Sequence, residues 1–471
     1  MAQGLFGLSE VAAAVRGQLE LEGASRTLGS VSIDSRTVEP GSLFVPLTGA
    51  RAEGHDFIEQ AMAAGAAASL VSRRFWSSRR GRIHELAVGH AAGIVVVEDT
   101  LRALQALAAW HLRRLPGLVT IGITGSNGKT TTKELVGAAL GASRGAAISP
   151  GNLNSETGLP LSCFMVRPGT RIAVFEMAMN HLGEIADLAE IVRPDFGLVT
   201  NIGVAHIGFC GTQEAIAREK KSIFRCFTGR EVAFLPAGDR FFEFLARDVK
   251  GRIVPFGPGA TRGFEKSENR GLDGSVIHWE GLRIRFPLVG RHNVTNALAA
   301  ISVATELGVS REDVRDALES ARPLPGRSEI LRGNVTVIAD CYNSSPESAR
   351  ELLELLGSLP RSGRRIGVFG SMLELGEESP SEHARLGQAA AAAGFDVLCF
   401  FGLDARDAYE VARRTMPSPR VHWTDDHKAL AQRLRDEVRQ GDLVVLKGSR
   451  GVELERVIPV LLPDAEVAAC S

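Results

Sequence analysis

Short, nearly unbroken apolar runs alternate with stretches of helical spacing along most of the chain. Up to roughly residue 110, "LGSVSIDSRTVEPGSLFVPLTG" alternates short strands with turn residues. "HDFIEQAMAAGAAASLV" then reads as a helix leading into a strand, and "AAGIVVVED" as a further buried strand. "TLRALQALAAWHLRRLPG" predicts a helix that ends at Pro116-Gly117 and leads into a second section. There "RIAVFEM", "PDFGLVTNIG" and "REVAFLPAG" are apolar on both alternating faces, the pattern of parallel strands covered by helices on either side. After residue 250 the strands become shorter and less regular, before the helix "NVTNALAAISVATELG". The turn-rich "ARPLPGRSE" at 321–329 marks the next boundary. A third section repeats the alternation through "NVTVIADCYN", "RRIGVFGSM", "DVLCFFG" and "DLVVLKGSRG". The pattern predicts an α/β protein of three domains, at 1–110, 111–322 and 323–471. Its polar residues gather at the carboxyl ends of strands, where open α/β sheets bind ligands.

Composition narrows the class. The 471 residues are 44% hydrophobic and 23% charged, and the net charge is −1. Such a balance provides no field to recruit nucleic acid or an acidic membrane. The basic "SRRFWSSRRGR" at 72–82 reads as solvated surface. Cys163, Cys210, Cys226, Cys341, Cys399 and Cys470 lack paired spacing, which points to reduced thiols rather than a disulfide frame or zinc site. The amino terminus has no basic segment followed by an apolar core, and no window approaches a membrane span. The expectation is a soluble, cytoplasmic protein without nucleic-acid partners.

Chemistry enters at "IGITGSNGKTTTKE", residues 121–134. An apolar strand runs into a turn with Gly125 and Gly128 and then into a helix. Glycines let backbone amides curl around an anion, and the helix start adds its positive dipole end. In such a loop Lys129 reaches the β/γ-phosphates and Thr130 holds Mg²⁺ through its hydroxyl. The usual spacing asks for a glycine where this chain has Ile123, so the loop is a compact G-x-x-G-K-T variant. It predicts nucleotide-phosphate binding by Gly125, Ser126, Asn127, Gly128, Lys129, Thr130 and Thr131.

Further signals are weak one by one. Glu176 closes the apolar strand in "VFEMAMNHLGEI" and could offer a hard oxygen to Mg²⁺, although a strand-end glutamate is ordinarily surface. His206 in "VTNIGVAHIGFCGT" lies just past another strand, and a lone histidine is usually structural. "EAIAREKKSIF" places Lys220 and Lys221 near a helix start, where a lysine pair ordinarily marks a solvated face. In "GRHNVTNALAA", Asn293 is a candidate helix N-cap as well as a polar contact.

The order of these signals is far more specific. Loop, strand-end glutamate, "TNIGVAH", a lysine-bearing helix, "GRHNVTNALAA" and "PLPGRSEI" together closely resemble the Mur ligase family, over essentially the whole chain. The resemblance implies an N-terminal uridine-nucleotide-binding α/β domain and a central P-loop ATPase-type parallel sheet with helices on both faces. A C-terminal Rossmann-like domain would share in binding ATP and the incoming amine. It implies that Thr130, Glu176, His206 and a CO₂-carbamylated Lys220 surround magnesium, with Lys129, Glu176, His206 and Lys220 as the catalytic set. The family pattern A-K-x-E-I is "EKKSI" here, so Lys221 is the alternative to Lys220. Asn293, Asn296, Arg327, Asp340, Tyr342 and Asn343 would contact ATP.

Within the family, "DCYNSSP" and "GSMLELGEES" resemble the D-x-Y-N-A-N-P and G-D-M-x-E-L-G of members that add D-alanyl-D-alanine to UDP-N-acetylmuramoyl-tripeptide, with Ser371 in place of an Asp. "SIDSRTVEPGSLFVPLTGARAEGHDF" resembles their uridine-binding segment and implies roles for Ser35, Arg36 and His55. "GNLNSETGLPL" points Asn152, Asn154 and Thr157 at the muramoyl-peptide. "VVLKGSRGVELERV" implicates Lys447, Ser449 and Arg450 on the substrate side. Implied with this are ATP as cosubstrate, an acyl-phosphate intermediate and a monomeric enzyme. Folylpolyglutamate synthases share the loop type and overall plan but would lack the uridine segment.

Overall fold

Residues 4–49, 52–141, 145–416 and 420–463 are described by the structure, a computed structural model. The chain forms two compact units. The first comprises residues 1–122, 144–179 and 184–195; the second comprises 123–143, 180–183 and 196–471.

In the first unit, β1 (Gln18–Leu21), β2 (Val31–Ser32), β3 (Leu43–Phe44), β4 (Ala68–Ser72) and β5 (Gly93–Val97) form a sheet in the order β1-β5-β4-β3-β2. Only β1 runs antiparallel to its neighbour. All of β5 is buried, as its unbroken apolar run requires. The basic 72–82 stretch corrects the solvated-surface reading: it belongs to the helix Arg73–Gly89. Its arginines are exposed, but Trp76 and Ile83 pack into the core with Phe44, Val71 and Ile94. The expected helix after β5 spans Thr100–Arg113, started by Asp99, whose side chain accepts from the Arg102 amide at 2.8 Å. The division between the units falls inside β6 (Val119–Thr124); β7 (Ala146–Ile148) and β8 (Ile172–Glu176) pair in parallel in the first unit.

In the second unit, β9 (Phe196–Val199), β10 (Val232–Pro236) and β11 (Arg252–Phe256) pair in parallel. The irregular segment that follows is an antiparallel meander of β12 (Phe264–Asn269), β13 (Ser275–Trp279) and β14 (Leu282–Phe286). A six-stranded sheet follows, built from β15 (Glu329–Arg332), β16 (Thr336–Asp340), β17 (Arg365–Gly370), β18 (Val397–Phe401), β19 (Val421–Thr424) and β20 (Leu443–Lys447). Its order is β15-β16-β20-β17-β18-β19, parallel except for β15. Successive residues of β18 face opposite cores: Leu398 and Phe400 one, Val397, Cys399 and Phe401 the other. Alternation with both faces apolar is why these strands read as continuous hydrophobic runs.

Among the described residues Cys163, Cys210, Cys226, Cys341 and Cys399 form no disulfide; Cys470 lies outside the described residues. Among the described residues no helix is long and apolar enough to cross a membrane.

Candidate active site

The loop after β6 is shaped by backbone that only glycine accepts easily. Gly125 and Gly128 have φ of 150° and 77°, and Gly128 stands at the start of the helix Lys129–Leu140. A Cβ on Gly128 would lie 2.7 Å from the Asn296 Oδ1, and one on Gly125 only 1.8 Å from the Thr200 Oγ1, so both glycines are also required by packing. The loop is pinned from the strand beside it. The Ser126 amide donates to the Asn201 carbonyl and the Asn127 amide to the Asn201 Oδ1 at 2.9 Å. The Thr200 hydroxyl donates to the Asn127 carbonyl at 2.6 Å, and the Gly203 amide to the Ser126 Oγ at 2.8 Å. Lys129 folds over the loop, its Nζ donating to the carbonyls of Gly125 and Ser126.

Arg327 donates to the Thr130 Oγ1 at 3.0 Å, and its guanidinium stacks on Tyr342 at 3.8 Å. Arg450 covers the same ring at 5.3 Å. Asp340, at the end of β16, accepts from the Ser328 amide and pairs with the buried Lys447 at 2.9 Å. Lys447 also donates to the Asn343 carbonyl at 2.7 Å. Lys447, expected on the substrate side, thus stands beside Asp340, a group expected at the nucleotide. A cavity of about 90 Å³ collects Asn127, Thr131, Asn293, Arg327, Asp340, Tyr342, Asn343 and Lys447. It shares Asn127, Gly128, His292, Asn296 and Glu351 with a second cavity of about 290 Å³ whose walls include Phe256 and Pro258. Two openings on a common wall beside the phosphate loop suit a sugar and a base.

Asn293 does not cap its helix. That position belongs to Gly290, and the Asn293 amide group donates to the Val289 carbonyl and accepts from Asn296. The lysine pair is also corrected. Lys220 and Lys221 lie in the last turn of the helix Gln213–Lys221, and Lys220 is 1% exposed rather than solvated. Burial, with the Lys129 ammonium adding to it, pushes the Lys220 amine well below its ordinary value. Lys221 instead reaches the carbonyls of Phe244 and Arg247. His206, in left-handed backbone at φ 67°, places its Nδ1 2.7 Å from the Glu374 carboxylate, a partner that sequence reasoning missed. That ring holds the Glu374 carboxyl below its usual value. Ser449 accepts from the Leu373 amide at 3.0 Å.

In the first unit, Glu176 ends β8 as expected and is buried. One oxygen accepts from Asn154 at 2.8 Å, while Oε2 has no hydrogen-bond partner. Asn152 and Thr157 flank this stretch, Thr157 at the start of the helix Gly158–Phe164. Arg36 is exposed and forked onto Asp34, which it holds at about 2. Ser35 is buried and donates to Gln60. His55 spends both ring nitrogens inside the fold, on the Glu53 carboxylate and the Ser72 amide, and stacks on Phe75. Both ring nitrogens are thus engaged within the segment expected to receive the uridine nucleotide.

A glycine-shaped loop opening a helix, in a protein of parallel sheets, defines a P-loop-type α/β protein. Comparison with known families agrees and goes further. The Mur ligase family, catalytic domain, matches residues 27–111, the Mur ligase middle domain 123–304, and the Mur ligase, glutamate ligase domain 326–450. A protein of Treponema pallidum named UDP-N-acetylmuramoyl-tripeptide--D-alanyl-D-alanine ligase is 39% identical, over 97% of this chain and 99% of its own length. The crystal structure of MurF from Acinetobacter baumannii superposes with a TM-score of 0.86 at 30% identity, covering 97% of this chain and 98% of that one. MurF ligase from Thermotoga maritima in complex with ADP gives 0.78 at 30% identity, over 92% and 96%. The chain belongs to the Mur ligase family.

Proposed function

We propose that the protein is an ATP-dependent, ADP-forming ligase that joins D-alanyl-D-alanine to UDP-N-acetylmuramoyl-tripeptide, a step in making the peptidoglycan precursor. The observation that carries this reading is the end-to-end likeness to a protein of that name at 39% identity. Three domains at 1–110, 111–322 and 323–471, a monomeric state and a cytoplasmic location complete the proposal. The scattered thiols support the location.

Two anions must meet in the first step. The terminal carboxylate of the tripeptide attacks the γ-phosphorus, the bond to the β-phosphate oxygen breaks, and ADP leaves an acyl phosphate. Lys129, released from its loop carbonyls, neutralises the charge that gathers there. The amine of D-alanyl-D-alanine then attacks the acyl carbon, phosphate departs, and the amine proton is lost. Both nucleophiles belong to substrates, so no side-chain nucleophile is required. Asp340 and Lys447 hold the ribose end, and Asn293 and Asn296 line the nucleotide wall. Ser35 and Arg36 receive the uridine diphosphate. Asn152, Asn154 and Thr157 face the muramoyl-peptide, and Ser449 and Arg450 lie on the side of the incoming dipeptide.

Magnesium fits the donors on a physical observation: the buried Glu176 Oε2 has no partner, and a buried bare carboxylate oxygen is costly without a cation. Among the described residues no three His, Cys, Asp or Glu side chains form a metal cluster. Ligation would therefore draw on the Thr130 hydroxyl, Glu176, His206, substrate phosphates and a carbamylated Lys220. The ion would supply charge neutralisation at the phosphates.

Phosphate release measured with UDP-N-acetylmuramoyl-tripeptide, ATP and Mg²⁺ tests the whole reading. Release that depends on D-alanyl-D-alanine, with a pentapeptide product, is expected. ATP turnover that instead answers only to a single amino acid or to a folate would overturn it.

A further inference from the structure

Two non-glycine residues in strained left-handed backbone face each other in the second unit. His206, in the loop after β9, and Glu374, in the loop after β17, each have φ of 67°. Such a conformation is unfavourable for a non-glycine residue and persists only where the surroundings enforce it. Glu374 grips the β9 loop twice. Its carboxylate stands 2.7 Å from the His206 Nδ1, and its carbonyl accepts the Gly208 amide at 3.1 Å. The approach depends on glycine on both sides, since a Cβ on Gly208 would lie 2.7 Å from the Gly376 nitrogen, and one on Gly376 2.7 Å from the Gly208 Cα. Glu347 holds the same loop further back, its Oε1 accepting from the Val204 amide at 2.8 Å, with Gly203 pressed against its carboxylate.

From this geometry we infer that Glu374 is a positioning residue: it fixes the direction of the His206 ring. The Nδ1 edge of the ring is turned toward the carboxylate at charge-contact distance, outside hydrogen-bond geometry. The ring is thus aimed only while the β17 loop is docked, which ties the chemistry on the β9 loop to closure of the segment that carries Ser371, Leu373 and Glu374. The inference rests on the ligase reading above.

The test uses the full chain and three variants. Glu374→Ala should lower kcat about 10–100-fold, the usual loss when the partner of a functional histidine is removed. KM for ATP and for the tripeptide substrate should change by less than about threefold, and thermal stability should hold. Glu374→Gln, which keeps the length and polarity of the side chain against the ring, should recover a large part of kcat, and Glu377→Ala on the same loop should behave as the parent. A kcat for Glu374→Ala within threefold of the parent, or a Gln variant no better than Ala, would overturn the inference. An inactive parent protein would instead count against the ligase reading.

Discussion

At the scale of single residues, the phosphate loop was legible because its signal is local. Gly125, Gly128, Lys129 and Thr130 are close in sequence, and their roles follow from backbone geometry that any such loop must adopt. Lys220 was not legible in that way. A lysine pair at a helix end carries no mark of burial; only the fold takes Lys220 out of water, on a helix whose Ile216 and Ala217 are likewise buried. Its depressed pKa has a chemical consequence. A carbamate forms from CO₂ and a neutral amine, and a buried lysine beside another ammonium is held toward that neutral form. Lys220→Ala should therefore fall to a small fraction of parent turnover and regain part of it with added acetate or formate, whose carboxylate replaces the missing one. Rescue measured by phosphate release, absent for Lys221→Ala, would also decide between the two lysines. Should acetate leave Lys220→Ala unchanged, the carbamate is wrong while the rest of the mechanism stands.

At the scale of elements, the strands were legible because both faces of β5, β17, β18 and β20 are covered, so apolar character runs through every position. The helix Arg73–Gly89 was not, since its inward stripe is only Phe75, Trp76, Ile83, Leu86 and Ala87, and five arginines hide it. The pairing of helices is harder still to foresee from sequence. Gly387, inside the helix Ser379–Ala392, lies so close to the helix Ala405–Thr415 that an added Cβ would fall 2.2 Å from the Ala408 carbonyl oxygen. Alanine has the better helix propensity by about 1 kcal/mol, so on an isolated helix Gly387→Ala would stabilise. Here overpacking at about 1–3 kcal/mol opposes that gain and wins, because the obstacle is backbone. The variant should unfold at lower urea concentration with an unchanged m-value. A midpoint equal to or above the parent's would show that the two helices separate without cost.

At the scale of the molecule, the order of motifs was legible as a family, whereas the way distant loops meet was not: Glu374 and Glu347 find the β9 loop only through the fold. The nucleotide cavity is lined wholly by residues of the second unit, and Ser35, Arg36 and His55 belong to the first. This division makes ligand effects separable. A nucleotide that binds only the folded state stabilises by RT ln(1 + [L]/Kd), about 2.7 kcal/mol at a hundredfold excess over Kd. A non-hydrolysable ATP analogue with Mg²⁺ should thus raise the melting temperature by several degrees and slow amide exchange around residues 123–141 and 326–347. Exchange at 32–49 should respond only when the UDP-sugar substrate is added. Lys129→Ala should keep the parent's melting temperature without ligand but show a much smaller rise with the analogue, since the loop loses its one flexible cation. A full rise in that variant would remove Lys129 from the phosphates, and protection at 32–49 by the ATP analogue alone would contradict the assignment of ATP to residues of the second unit.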